Sequence, residues 1–270
     1  VAGRIFTEDV RDFGRNLMIA QTTRGAEVME ALARTGTAPV FEADNLGLSP
    51  LGFAARAGNV GGVRWLKAHA PRTLRVEDAA RGAPFDVWLG AATWALYPAT
   101  TDAQALAARD LILDELLRPG MPWAQANPVE DESDDPLVRR REVPAPAGGA
   151  TLMHHVAALG DVALAERLLT LGAPIDGAGG PGDETTPLGT AVMAGQRPMV
   201  EWLLRHGADP LGGPTPESTP FHLALAGDEQ ERYLDDAERA ASAARRGQAL
   251  PALLGQLTPQ QRQQQFAEIT

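Results

Sequence analysis

The chain has 270 residues, 44% of them hydrophobic, with 24 lysines and arginines against 35 aspartates and glutamates, a net charge of −11. That balance disfavours a phosphate backbone as partner, since no basic stripe is present, and no apolar run is long enough to span a membrane as a helix. The absence of cysteine removes disulfides, thiolate zinc sites and a thiol nucleophile together.

Ile5, Phe6, Val10, Phe13, Leu17 and Met18 recur at roughly helical spacing. Thr7 supplies a cap, and Glu8 and Asp9 suit the positive end of the helix. Residues 1–14 therefore read as an N-terminal cap, followed by a partner helix over Glu27–Arg34. Phe41–Leu48 reads as a hairpin-like finger with Asp44 and Asn45 near its tip. Ser49–His69 is a clean pair of short helices, and Pro71 stops the second.

The next segment is irregular. Trp88 falls where the other segments carry a small residue, and the second helix, Ala103–Arg118, is displaced by an insertion holding Trp94, Tyr97 and Pro98. These aromatics have two readings. They fill the volume of a longer helix pair, or Trp88, Trp94 and Tyr97 form a partner-binding patch, since Trp and Tyr are frequent interface anchors. Residues 119–149 hold several prolines, the acidic run Glu130–Asp135 and Arg139–Arg141, a composition predicted to form a long solvated loop.

Thr151–Gly172 and Thr186–Asp209 are the most regular stretches. In Thr186–Pro210 a threonine cap and a proline at the first helical position start a helix, and Gly195 breaks it. Met199, Val200, Trp202, Leu203 and Leu204 mark a second helix, which Gly207 ends. One such hairpin cannot bury its apolar face alone and needs copies of itself. Thr219–Ala226 starts another unit, and residues 229–270 read as a charged C-terminal cap with Phe266 and Ile269 available for docking.

Aligned on the Thr-Pro position, the starts are Arg15, Ser49, Ala83, Thr151, Thr186 and Thr219, at steps of 34, 34, 68, 35 and 33 residues, and 68 is two periods. This pattern resembles the ankyrin repeat: TPLHxA, then a glycine, then LL-x-x-GA[DN]. Thr186-Pro187-Leu188 and Thr219-Pro220-Phe221-His222-Leu223-Ala224 carry it best, with Ser49-Pro50-Leu51 and Thr151-Leu152-Met153-His154 as variants. The resemblance implies an all-α solenoid of about six stacked helix-turn-helix repeats with finger loops and helical caps, one domain over residues 1–270. His154 and His222 would then hydrogen-bond locally.

Such repeats imply protein binding through the inner helices and the finger tips, by a monomer when unbound. The expected face combines Asp44, Asn45, Asp183 and Glu184 with inner-helix positions of repeats four to six. With net charge −11 it should lean acidic and favour a basic protein. A bacterial inhibitor of immunity type, or a scaffold, is one concrete form. Arginine-, alanine-, glycine- and proline-rich usage with Lys67 as sole lysine suits a GC-rich bacterial gene, and the start at Val1 leaves periplasm and cytoplasm both open. The other reading is an enzyme or accessory factor with its site in the repeat-three insertion.

Cofactor chemistry has little support. Gly177–Gly182 spells GxGxxG, but no strand precedes it and Pro181 would obstruct the helix a dinucleotide site requires. No GxSxG, HExxH or GxxxxGK[ST] occurs, and no third ligand joins His154 and His155 at metal spacing. No cofactor, metal or catalytic residue is therefore expected.

Overall fold

A computed structural model describes residues 30, 34, 50–69, 75–78, 83–98, 103–125, 150–177, 185–227, 231 and 233–269. Twelve α-helices and one two-stranded hairpin lie among them, in two compact units, Val1–Pro122 and Trp123–Thr270. The N-terminal cap, the finger at 41–48 and the loop segment 126–149 lie outside the described residues. Glu30 and Arg34, inside the expected partner helix of repeat one, are helical and form an i,i+4 ion pair at 2.6 Å.

In the first unit, α1 (Pro50–Arg56) and α2 (Val60–His69) form one helix pair, and α3 (Val87–Ala95) and α4 (Ala103–Leu116) form the next. The first helices, α1 and α3, pack together, as do the second helices, α2 and α4. Between the pairs, β1 (Arg75–Asp78) and β2 (Ala83–Asp86) form an antiparallel hairpin in the register Arg75↔Asp86 and Val76↔Phe85.

The second unit holds α5 (Leu152–Leu159), α6 (Val162–Thr170), α7 (Pro187–Met193), α8 (Arg197–Arg205) and α9 (Pro220–Ala226). Three more helices follow: α10 (Asp236–Gly247), α11 (Leu250–Gln256) and α12 (Pro259–Ile269). Helices α5, α7 and α9 pack in a row, with α6 and α8 behind them. Helix α11 packs on α8 and α9 and so takes the second-helix place of the last repeat, while α10 is an addition that packs on α7 and α9.

Capping chemistry sets each start. The Thr186 hydroxyl accepts from the Gly189 N–H at 3.2 Å, and the Thr219 hydroxyl from the His222 N–H at 3.2 Å. In the third repeat the cap is Asp86, whose carboxylate accepts from the Trp88 and Leu89 N–H groups at 2.8 and 3.1 Å. That repeat therefore begins three residues later than the Ala83 start expected from the period, because Ala83–Asp86 is spent on the hairpin.

The shift corrects the placement of Trp88. Two residues after the cap stand Leu51, Trp88, Met153, Leu188 and Phe221, all buried core residues. Five residues after it stand Ala54, Ala91, Val156, Ala191 and Ala224, also buried. The small-residue slot of repeat three belongs to Ala91, so neighbouring first helices still approach closely. At 100° per residue, offsets two, five and six share one face of the helix, and that face is the core.

The turn between helices needs glycine in most repeats. Gly58, Gly160 and Gly195 all take φ near +70°, a left-handed conformation that costs other residues about 1–2 kcal/mol. A side chain at Gly160 would also run into Gln196, whose amide donates to the Ala158 carbonyl of the preceding repeat at 2.9 Å.

Candidate protein-interaction surface

With caps and core facing the neighbours, the last turn of each first helix remains for solvent. Seven and eight residues after the cap stand Arg56 and Ala57, Thr93 and Trp94, Ala158 and Leu159, and Met193 and Ala194. Ala226 takes the first of these places in the last repeat. Arg56, Trp94, Ala158, Leu159 and Met193 are half-buried, Ala57, Ala194 and Ala226 are exposed, and only Thr93 is buried.

None of the five first helices, α1, α3, α5, α7 and α9, carries an Asp or Glu. The inner helices therefore add no acid to the expected acidic-leaning face. In repeats four to six these helices also lack Lys and Arg and are largely apolar, because the short first helices spend their positions on tight packing. The acids sit on second helices and in turns, where they have work to do. The Asp161 carboxylate caps α6 by accepting from the Leu164 N–H at 3.0 Å. Arg197 pairs with Glu201 at 2.8 Å, and Glu115 binds both Arg64 at 2.9 Å and Lys67 at 2.8 Å. Those two cations hold the Glu115 carboxyl below the ordinary carboxylate range.

Asp44, Asn45, Asp183 and Glu184 lie outside the described residues. The described neighbour is Asp176, whose carboxylate accepts from the Asp209 N–H at 3.1 Å across adjacent repeats. The residue as a whole stays exposed, yet its carboxyl is partly desolvated. Desolvation, with the Asp209 charge adding to it, raises the carboxyl above its ordinary range against the effect of that hydrogen bond.

The three aromatics of repeat three separate. Trp88 and Tyr97 are 5% and 8% exposed, so they are core rather than an open patch. The reason is the corrected phase, which points Trp88 inward. Trp94 alone stays half-exposed, and the Arg56 guanidinium lies 5.2 Å from its ring centroid. Of the three aromatics only Trp94, beside Arg56, is left on the exposed end of an inner helix.

His154 is fully buried. Its Nδ1 accepts from the Thr151 N–H at 3.2 Å, which leaves the hydrogen on Nε2, placed 3.2 Å from the Thr185 carbonyl. That is a structural tie between adjacent repeats. Among the described residues there is no group of three or more His, Cys, Asp or Glu side chains able to hold a metal. No described helix is long and apolar enough to cross a membrane.

Residues 153–204 match the family model described as ankyrin repeats in many copies. Those residues are ankyrin repeats. Among solved structures the chain is similar to an ankyrin repeat domain from Acinetobacter baumannii AYE at 16% identity and a TM-score of 0.47, over 89% of this chain and 96% of that one. It is also similar to the human ASB11 ankyrin repeat domain at 16% identity and a TM-score of 0.46, over 87% and 82%. No curated protein matches it. Ankyrin repeats are generally protein–protein interaction modules and typically serve as binding scaffolds. In those terms the first helices are the inner row and the second helices the outer row.

Sequence reasoning placed the finger acids in the interaction face and passed over Ala158, Leu159, Met193 and Ala226. Their signal is the fixed offset of seven or eight residues from the cap, readable once each cap is assigned.

Proposed function

We infer that this chain binds one protein partner through the solvent-facing last turns of its inner helices. The carrying observation is the segregation of charge: inner helices without a carboxylate, outer helices with paired acids and bases. A neutral surface of Ala158, Leu159, Met193, Ala194 and Ala226 has little hydration to lose on contact, which favours a partner presenting apolar side chains. The acidic surplus of the whole chain leaves basic character in the partner to the rim, where it would speed encounter. Inhibition or scaffolding of that partner is the role this supports, an immunity-type inhibitor being one form.

Site-specific photo-crosslinking tests the reading. A photoreactive residue at Met193 or Leu159 should trap the same protein from the source cell, while one at Arg197 or Arg205 on the outer helix should not. Crosslinks confined to the outer positions would refute it.

A further inference from the structure

Helix α10 is held by polar side chains. Of its twelve residues, Ser242 and Arg246 are buried and Gly247 half-buried, while the other nine are exposed. No aliphatic side chain anchors it. Its anchor is polar: Arg246 Nη2 lies 3.0 Å from Glu231 Oε2, and the Ser242 hydroxyl donates to Glu231 Oε1 at 2.6 Å. Glu231 and Arg246 are 6% and 5% exposed. The Arg246 Nε–H is buried without an acceptor, so this cluster is not fully satisfied.

The place of this cluster is specific. Helix α10 packs on the inner helices α7 and α9. Arg245 approaches the end of α7 so closely that a Cβ on Gly195 would lie 3.0 Å from its own Cβ. At the end of α9, Gly227 has φ +77° and ψ −170°, a conformation nearly restricted to glycine. A Cβ there would collide with the Glu231 carboxylate and the Arg246 guanidinium. The helix thus closes over the ends of the inner row, just beyond Met193, Ala194 and Ala226.

Its own caps make α10 a self-contained piece. The Asp235 carboxylate accepts from the Glu238 N–H at 2.8 Å, and the Glu238 carboxylate from the Asp235 N–H at 3.0 Å. Acids occupy its first turn and Arg245 and Arg246 its last, matching the helix dipole, with alanines between.

We propose that α10 is a strap, latched over the ends of inner helices α7 and α9 by Glu231, Ser242 and Arg246, that opens as a unit to enlarge the surface open to a protein partner. This rests on the inner-helix binding reading. A polar latch suits such a role, because its groups regain hydration when it opens, whereas an aliphatic anchor would expose apolar surface.

Hydrogen exchange on the full chain, without any partner, tests the strap. Glu231→Gln keeps the shape but leaves Arg246 buried without a counter-charge. Amides of 236–247 should then exchange at least about tenfold faster, with those of 187–193 and 220–226 unchanged. The double variant Glu231→Leu/Arg246→Met, an apolar replacement of the pair, should return 236–247 to wild-type protection or better. Unchanged exchange in α10, or acceleration of α7 and α9 along with it, would overturn the strap. So would a double variant that fails to restore α10. If α10 opens but Glu231→Gln binds the partner no better, the strap's role in binding is overturned, whereas the inner-helix reading falls only if crosslinks at Leu159 and Met193 trap no partner.

Discussion

The regular repeats of residues 152–205 and the irregular repeat of residues 87–116 solve one packing problem with different materials. Both place a large apolar residue two positions after the cap and a small one five positions after it. In the regular repeats the turn to the outer helix is a left-handed glycine, followed by a nine-residue helix. In repeat three the ninth position is Ala95, Leu96 continues in right-handed conformation, and a 14-residue α4 follows. What the inner row requires is therefore the cap and the two core offsets. The turn and the outer helix are free to vary.

The largest expected effect tests whether repeat three obeys that rule. Trp88→Ala should destabilise the first unit by about 3–5 kcal/mol, the range for a buried Trp truncated to Ala. Denaturant unfolding checks it. A loss under about 1 kcal/mol would return Trp88 to the surface.

Leu203, fully buried in α8, is the counterpart in the regular repeats. Leu203→Ala should cost about 2–5 kcal/mol. If the change is under about 0.5 kcal/mol by the same denaturation, α8 does not face the core.

Next comes the turn. Gly160→Ala should cost about 1–2 kcal/mol through its positive φ, with the Gln196 side chain crowding it further. Ala95→Gly at the matching place in repeat three should cost about 1–2 kcal/mol for another reason, the helix penalty of glycine plus a lost buried methyl. Denaturant unfolding checks both, and a neutral Gly160→Ala would contradict the left-handed turn.

Much of this was legible in the sequence, and the failures are instructive. The caps Thr151, Thr186 and Thr219 and their core offsets follow from a period near 34 and from capping chemistry. The third cap was missed because the period alone points to Ala83. Asp86 is a preferred cap residue, so capping preference weighed against period would have found it. The Glu231–Arg246 latch and the bond from Trp202 Nε1 to Glu166 at 2.9 Å join residues 15 and 36 apart, on elements whose contact no local pattern announces.

The indoles offer a finer contrast. The Trp88 Nε1–H is buried without an acceptor, whereas that of Trp202 donates to Glu166. Trp202→Phe should therefore cost about 1 kcal/mol more than Trp88→Phe, the usual net worth of a hydrogen bond. Matched denaturation curves of the two variants check it, and equal costs would contradict the assignment.

The smallest effect concerns Asp176. Its folded carboxyl is raised above the unfolded value of about 3.9, so the folded state binds more protons in the window between the two. Stability contributed by this group therefore falls as pH rises through that window. Asp176→Asn, which keeps an oxygen for the Asp209 N–H, should stabilise slightly above the window, by at most about 0.5 kcal/mol. The gain should vanish below the ordinary aspartate range. A melting-temperature series against pH checks the sign.

The most direct test of the inner-helix surface is the affinity of the trapped partner for the Leu159→Arg/Met193→Arg double variant, beside wild type, with salt varied. Binding should weaken at least tenfold in the variant, and the wild-type affinity should change little with salt, because the central contact is neutral. An unchanged affinity in the double variant, together with a wild-type affinity that falls steeply with salt, would place the contact on the charged surfaces instead.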